Sequence, residues 1–524
     1  MAKNAMYITK KGMICRNVYK LLSFLLLFLP IISIAQSNPK NKEEAMVNIV
    51  KAGSNRSELE KVILYFKKSI DPLKLETAYF LIANMDIHHS ADYYWIDSLE
   101  KKVRFQEFSY PDFNAAEKEI MRNQNSPNLI VQKVIYPDLE YIKADFLIKN
   151  IENAFKAWKT SDYKDIAFKD FCEYILPYRA TFEPLQDWRI TYNARYKWVS
   201  DSLKTLPLTK VLSYMGAEYN SWFFLTYGKE NRIDPLPRLG AQQLLFRKKG
   251  NCEDIAALQV FALRSQGIPA SYDIIPSWGT ATGTHFGNTA FDTQMKPLRF
   301  DVTRSPVVNP DQAEPAKVIR LTYSKQKGVL ASIEKEENIP PGFLQDKNYI
   351  DITNEYWETK ELKCTLFPGQ QKPKITYVCT VRGGEWQPVW WGNTKDSIVA
   401  FSKMPKGIAY LPVYYKDEEI IPAGYPKVMG YNNEVVLKPD KIKTRSIVIK
   451  EQEKYLKFRP EKKYELFYWD NEWKSAGEKI TTAETRELIF DKVPSNALYR
   501  LVPEYTRGME RPFIITVDGT RRWF

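Results

Sequence analysis

Cys252, His285 and Asp301 are the three side chains whose types and order along the chain could together perform nucleophilic chemistry. Cys252 stands in "RKKGNCEDIAALQVFALRSQGIPA" (Arg247 to Ala270), directly after Gly250 and Asn251. A cysteine attacks as its thiolate and needs a base, most often histidine. The whole chain holds three histidines, His88, His89 and His285. The His88-His89 pair reads as the end of a helix far upstream, and adjacent residues point in different directions. With no CxxC or HxxxH partner in the sequence, no metal site is expected, and no cofactor. His285 lies in a strand-like run shortly after the cysteine. Asp301, in "LRFDVT", lies on the next such run and could orient the imidazole. A turn centred near Thr293 would set His285 and Asp301 opposite one another on one face. Asp292 and Asn288 are rivals, but Asp292 falls in the turn and Asn288 has the wrong strand parity. The plainer readings are a filler or disulfide-bonded cysteine and a core histidine.

The elements that would position these groups are legible nearby. Asn251 is a good N-cap, and Asp254 sits where a capping-box carboxylate reaches back. A helix is predicted over 252–266, with Ile255, Leu258, Ala262 and Leu263 as one apolar stripe. Gly267 is a natural C′ residue, and Pro269 prevents continuation. Cys252 therefore falls at the first helical position, where backbone N–H groups and the helix dipole favour a thiolate. Arg247, Lys248 and Lys249 add to this, Glu253 and Asp254 oppose it, and the sign of the thiol's shift stays open. Three strand-like stretches follow, "ASYDIIPSW", "THFGNTAFD" and "PLRFDVT". A helix followed by antiparallel strands is an α+β order.

"GNCEDIAALQVFALRSQGIPA", then His285, then "RFDVT" resembles the transglutaminase-like family of the papain-like superfamily. The resemblance spans roughly 239–303, with Arg264, Gly267, Ile268, Pro269 and Ala270 its most specific part. It implies Cys252 as nucleophile, His285 as base and Asp301 as the orienting carboxylate. One departure stands out. The family usually carries an aromatic residue, often Trp, two positions after the histidine, where this chain has Gly287; Phe286 and Trp278 are candidates for that ring. Gln242, Gln243 and the Cys252 backbone N–H are candidate oxyanion donors. The arrangement as a whole is similar to large secreted bacterial multidomain proteins of this type.

At 524 residues the chain needs several domains. The expected class is α+β: a leader at 1–35, a helical region at 36–165, a transglutaminase-like domain at 166–352, and two β-sandwich units at 353–445 and 446–524. Lys10, Lys11, Arg16 and Lys20 precede an apolar run from Leu21 to Ala35, the pattern of a signal peptide cut before Gln36. Export to a periplasm, a cell surface or the medium follows, with no later membrane span. In such a compartment Cys364 and Cys379 could staple neighbouring strands. In the helical region, Ser57 and Glu60 suggest a capping box.

After about Thr353 the sequence turns strongly β. "YVCTVRGGEW" (from Tyr377) parallels "YELFYWDNEW" (from Tyr464), and "MPKGIAYLPV" (from Met404) parallels "VPSNALYRLV" (from Val493), an internal repeat. Trp390, Trp391 and Trp469 are candidates for a sugar-binding face, with core packing the commoner fate. The net charge of +13 is spread over short clusters, so no nucleic-acid partner is expected.

Two classes of function remain. One is a secreted thiol enzyme acting on the amide bonds of a peptide, protein or other substrate. The alternative is an inactive transglutaminase-like scaffold that presents its β units to a glycan or protein.

Overall fold

A computed structural model describes residues 39–226, 233–310, 313–369, 372–452, 456–508 and 510–524. The expected leader lies outside the described residues. Among them, no helix is long and apolar enough to cross a membrane.

The N-terminal part packs α1 (Pro39–Lys51), α2 (Arg56–Phe66) and α3 (Pro72–Ala83) against one another and against the longer α4 (Ala144–Thr160). Two local expectations differ from what forms. The N-cap of α2 is Asn55, one residue before the helix, so Ser57 lies inside it and caps nothing; Glu60 reaches back to Arg56 instead, at 2.7 Å. An antiparallel hairpin, β1 (His89–Ile96) with β2 (Ile130–Pro137), interrupts the expected helical layer. It begins at the histidine pair that reads as a helix end. His88 is buried there against the Tyr323 carbonyl, 2.8 Å from its Nε2.

The central unit is built around α5 (Cys252–Ser265), which lies across a five-stranded antiparallel sheet. The sheet comprises β3 (Ala270–Ile275), β4 (His285–Phe291), β5 (Pro297–Phe300), β6 (Ile319–Leu321) and β7 (Tyr349–Asp351), in the order β5-β4-β3-β6-β7. Every residue of α5 from Glu253 to Ser265 is buried, so the helix has no polar outer face; the expected single stripe understates it. The polar residues Arg264 and Gln259 are buried with the rest. Arg264 is satisfied by the carbonyls of Tyr174, Arg179 and Ala270. The helix ends in a Schellman motif, with Ile268 N bonded to Leu263 O and Gly267 N to Arg264 O. Gly267 is required twice over: its φ is +73°, and a Cβ there would lie 2.3 Å from the Ala157 carbonyl of α4. One continuous hydrophobic core joins the N-terminal helices to α5 and its sheet, from Ala45 to Tyr323.

The C-terminal part is antiparallel β throughout, and its two halves repeat one topology. In the first, strand Ile375–Arg382 pairs with both Glu385–Lys395 and Ile408–Lys416, beside the ladder of Thr359–Thr365 with Ile398–Pro405. In the second, Lys463–Trp469 pairs with Trp473–Ile480 and Tyr499–Pro503, beside the ladder of Asp440–Lys450 with Glu487–Ser495. Backbone details repeat too. Positive φ angles recur at Gly384 and Asn471, at Lys403 and Lys492, and at Gly407 and Asn496. Tyr410 donates its hydroxyl to the Pro405 carbonyl, and Tyr499 does the same to Pro494.

All four described cysteines are free thiols. Cys364 and Cys379 cannot form the expected staple, because two strands separate theirs in the sheet order. Trp390 and Trp469 are buried in the β core, and Trp391 lies beside Trp390 with ring centroids 6.5 Å apart, so these rings do not form an exposed platform for a sugar.

Candidate active site

The N-terminus of α5 is capped as its sequence indicates. The Asn251 side chain accepts from the N–H groups of Glu253 and Asp254, and the Asp254 carboxylate accepts from Asn251 N at 3.0 Å. Cys252 is the first helical residue and is half-buried. Phe286, the residue after His285, and Asp301 are both among the groups whose electrostatic influence reaches the Cys252 thiol, so the helix start and the β4 start lie near one another. The sheet face that carries Tyr272 and Asn288 is tied to the same helix: Tyr272 donates to Glu253 O at 3.0 Å and Asn288 to Ala256 O at 2.9 Å.

His285 and Asp301 are both buried, and Nε2 of the ring lies 2.7 Å from Oδ2 of the carboxylate. They are not directly opposed as expected. Asn288 pairs with Phe300, so the hairpin is centred one residue later and Asp301, just beyond β5, comes level with Gly287. His285 and Gly287 share a face, so the carboxylate reaches the ring diagonally. The rivals are engaged elsewhere. Asn288 points to the helix, and Asp292 accepts from the N–H groups of Gln294 and Lys296 in the turn, each at 2.9 Å.

The electrostatics oppose a preformed thiolate. Burial, followed by the nearby charges of Glu253 and Asp301, pushes the Cys252 thiol up to about 11; the backbone bonds from Phe286 and Glu253 only partly offset this. This resolves the sign that the sequence leaves open: desolvation outweighs the helix terminus. Burial also works against the Asp301 carboxylate. The hydrogen bond and charge of His285 and two bonds from Thr303 outweigh it, and hold Asp301 below its ordinary range.

The residues around the pair include some that the sequence names, Trp278 and the two glutamines, and some that it does not, Tyr356 and Arg238. Trp278, from the β3–β4 loop, stacks on His285 with ring centroids 5.9 Å apart and planes at 26°. Tyr356, far along the chain, brings its hydroxyl 4.0 Å from where a Cβ of Gly287 would be, and donates to Asp273 at 2.9 Å. Trp278 therefore covers the imidazole, and the Tyr356 hydroxyl comes nearest the open position at Gly287. Arg238 is ion-paired to Glu253 and lies over the rings of both Phe182 and Phe286. Phe182 in turn stacks on His89 of the N-terminal hairpin. Gln242 and Gln243 are held by Asp187, Thr191, Gly240 and Glu107, so their side chains are committed to packing and not to a carbonyl at Cys252. Among the described residues, no cluster of three or more His, Cys, Asp or Glu side chains could hold a metal ion.

Residues 212–294 match the model of the transglutaminase-like superfamily, a span that includes Cys252 and His285 and ends before Asp301. The matched segment lies between the N-terminal helices and the C-terminal sheets, in a transglutaminase-like domain in the middle of the chain. A crystal structure of a candidate cysteine protease from Cytophaga hutchinsonii is similar at 17% identity and a TM-score of 0.22, covering 29% of this chain. The match spans 47% of that protein's length. No curated protein matches the chain.

Proposed function

We propose that this protein is an exported thiol enzyme that cleaves or transfers amide-linked acyl groups through Cys252, His285 and Asp301. The observation that carries this reading is the 2.7 Å His285–Asp301 pair on the sheet that holds the start of α5, where Cys252 is the first helical residue. With Nε2 engaged by Asp301, Nδ1 is the nitrogen left to exchange a proton with the thiol. Because the resting thiol is protonated, His285 takes that proton as sulfur attacks the amide carbonyl. The Cys252 N–H, which the Asn251 cap leaves unclaimed, is the candidate donor to the oxyanion. The imidazolium then gives its proton to the departing amine, the C–N bond breaks, and a thioester remains on Cys252. Water or a second amine attacks that thioester, His285 accepts the attacker's proton, and the sulfur leaves to be reprotonated.

The supported substrate class is an amide in a protein or peptide. Hydrolysis is the preferred outcome over cross-linking for an exported protein, and the acceptor is what the experiment below decides. The test is mass-spectrometric capture of an acyl adduct on Cys252 from a panel of peptide amides, with and without added amine. An adduct that resolves to acid and is absent in Cys252→Ala and His285→Ala supports the reading. No adduct from any amide with correctly folded protein contradicts it.

A further inference from the structure

The loop between β3 and β4, which carries Trp278 against His285, does not stand on the central sheet alone. It is seated on the 314–316 segment that precedes β6 and on Ile408 of the first β unit. Gly279 N donates to the Glu314 carbonyl at 2.8 Å, Ala316 N to the Ser277 carbonyl at 2.8 Å, and the Thr280 hydroxyl to the Glu314 carboxylate at 2.5 Å. Gly279 itself lies directly on Ile408, a fully buried residue of strand Ile408–Lys416. A Cβ on Gly279 would come 2.1 Å from Ile408 Cδ1, and its three nearest neighbours are all atoms of that one side chain. The junction between the units is anchored beside it, where the Trp357 indole donates to the Lys406 carbonyl at 3.2 Å.

We infer that Ile408 of the β unit is a positioning residue for the candidate active site: its contact with Gly279 sets the height of the loop and so holds Trp278 flat against His285. This inference rests on the proposed role of His285 for its catalytic meaning, while the contact itself can be tested without it. A small residue is needed at 279 because the backbone and the Ile408 side chain meet there with no room for a methyl group. No positive φ is involved, so the requirement is one of space. Moving the loop outward would take Trp278 off the imidazole and leave the ring with Asp301 as its one fixed contact.

The test uses the mature full-length chain with ¹³C-labelled histidine. Three variants are compared with wild type: Gly279→Ala, Ile408→Ala, and the two combined. The chain has three histidines, so the ring resonance of His285 is assignable by its loss in His285→Ala. The inference expects Gly279→Ala to shift that resonance, because the ring current of Trp278 moves away, and the double variant to restore it, because the obstructing side chain is gone. The His88 and His89 resonances should stay in place in every variant, which separates loop displacement from general unfolding. An unmoved His285 resonance in Gly279→Ala, or a shift that persists in the double variant, overturns the inference. Alkylation of Cys252 is measured on the same samples. If His285→Ala leaves alkylation unchanged, the proposed function fails while the resonance data still decide the contact.

Discussion

Glu253, the residue that follows Cys252, is ion-paired to Arg238, and both side chains are largely buried. The pair places a carboxylate beside the thiol and a guanidinium behind it, sandwiched between Phe182 and Phe286. Glu253 is the largest charge contribution holding the thiol in its protonated form, after burial itself. Replacing Glu253 with Gln removes that charge while keeping the shape. The midpoint of Cys252 alkylation should then move down by roughly one to three pH units, the upper end being a unit charge about 4 Å away at an effective dielectric near 20. Alkylation profiles of the two proteins check this, and an unchanged midpoint would show that Glu253 is electrically remote from the sulfur.

His88 is held far below the ordinary histidine range, at about 3, by burial and then by Arg179. In the unfolded chain it takes a proton near pH 6.5, whereas in the fold it resists until much lower pH. The unfolded state therefore binds more protons between those values, and stability falls as pH drops through that window. His88→Gln keeps a donor for the Tyr323 carbonyl and removes the titration. Thermal unfolding of this variant should lose less stability than wild type between pH 6.5 and 4. Parallel losses would assign the acid sensitivity to other groups.

Gly267→Ala should lower stability by at least about 1–3 kcal/mol, since it imposes a left-handed backbone on a side chain and drives a methyl group into the Ala157 carbonyl. The unfolding midpoint measures it. A neutral substitution would mean that α5 and α4 separate more easily than their packing indicates.

The repeated tyrosines make a paired prediction. Tyr410→Phe and Tyr499→Phe each remove one hydroxyl donor and leave a proline carbonyl unmatched, at a cost of about 1–3 kcal/mol. Denaturant unfolding of both variants should show similar losses. A loss in only one would set the two units apart energetically despite their shared topology.

Local signals carried much of this fold, and long-range packing carried the remainder. Asn251, Asp254, Gly267 and Pro269 act within a few residues of themselves, so the bounds and caps of the cysteine helix were legible to within a residue. Strand parity placed His285 and Asp301 on one face. The exact register was not legible, because it depends on the turn at Asp292, which closes one residue later than expected. The histidine pair does end a helical turn, with His88 as the cap of Met85–Ile87, but the strand His89–Ile96 that follows was not legible because its partner lies beyond an intervening helix. Tyr356, Arg238 and Ile408 were invisible as site residues, since nothing in their own neighbourhoods indicates which distant backbone they will meet. The four free thiols reflect the same limit: sequence proximity of Cys364 and Cys379 says nothing of the two strands that come between them.

The central claim is that His285 serves as the base for the Cys252 thiol, and the most direct test is the rate of iodoacetamide labelling across neutral to alkaline pH. A chain beginning at Gln36, without the expected leader and its Cys15, is suited to it, because Cys172, Cys364 and Cys379 are buried and Cys252 is the half-exposed thiol among the described residues. Wild type should label at neutral pH about a hundredfold faster than His285→Ala, the lower end of what a positioned base supplies. The variant's midpoint should lie above the free-thiol value of about 8.5, where burial alone leaves it. Identical rates and midpoints in the two proteins would contradict the account.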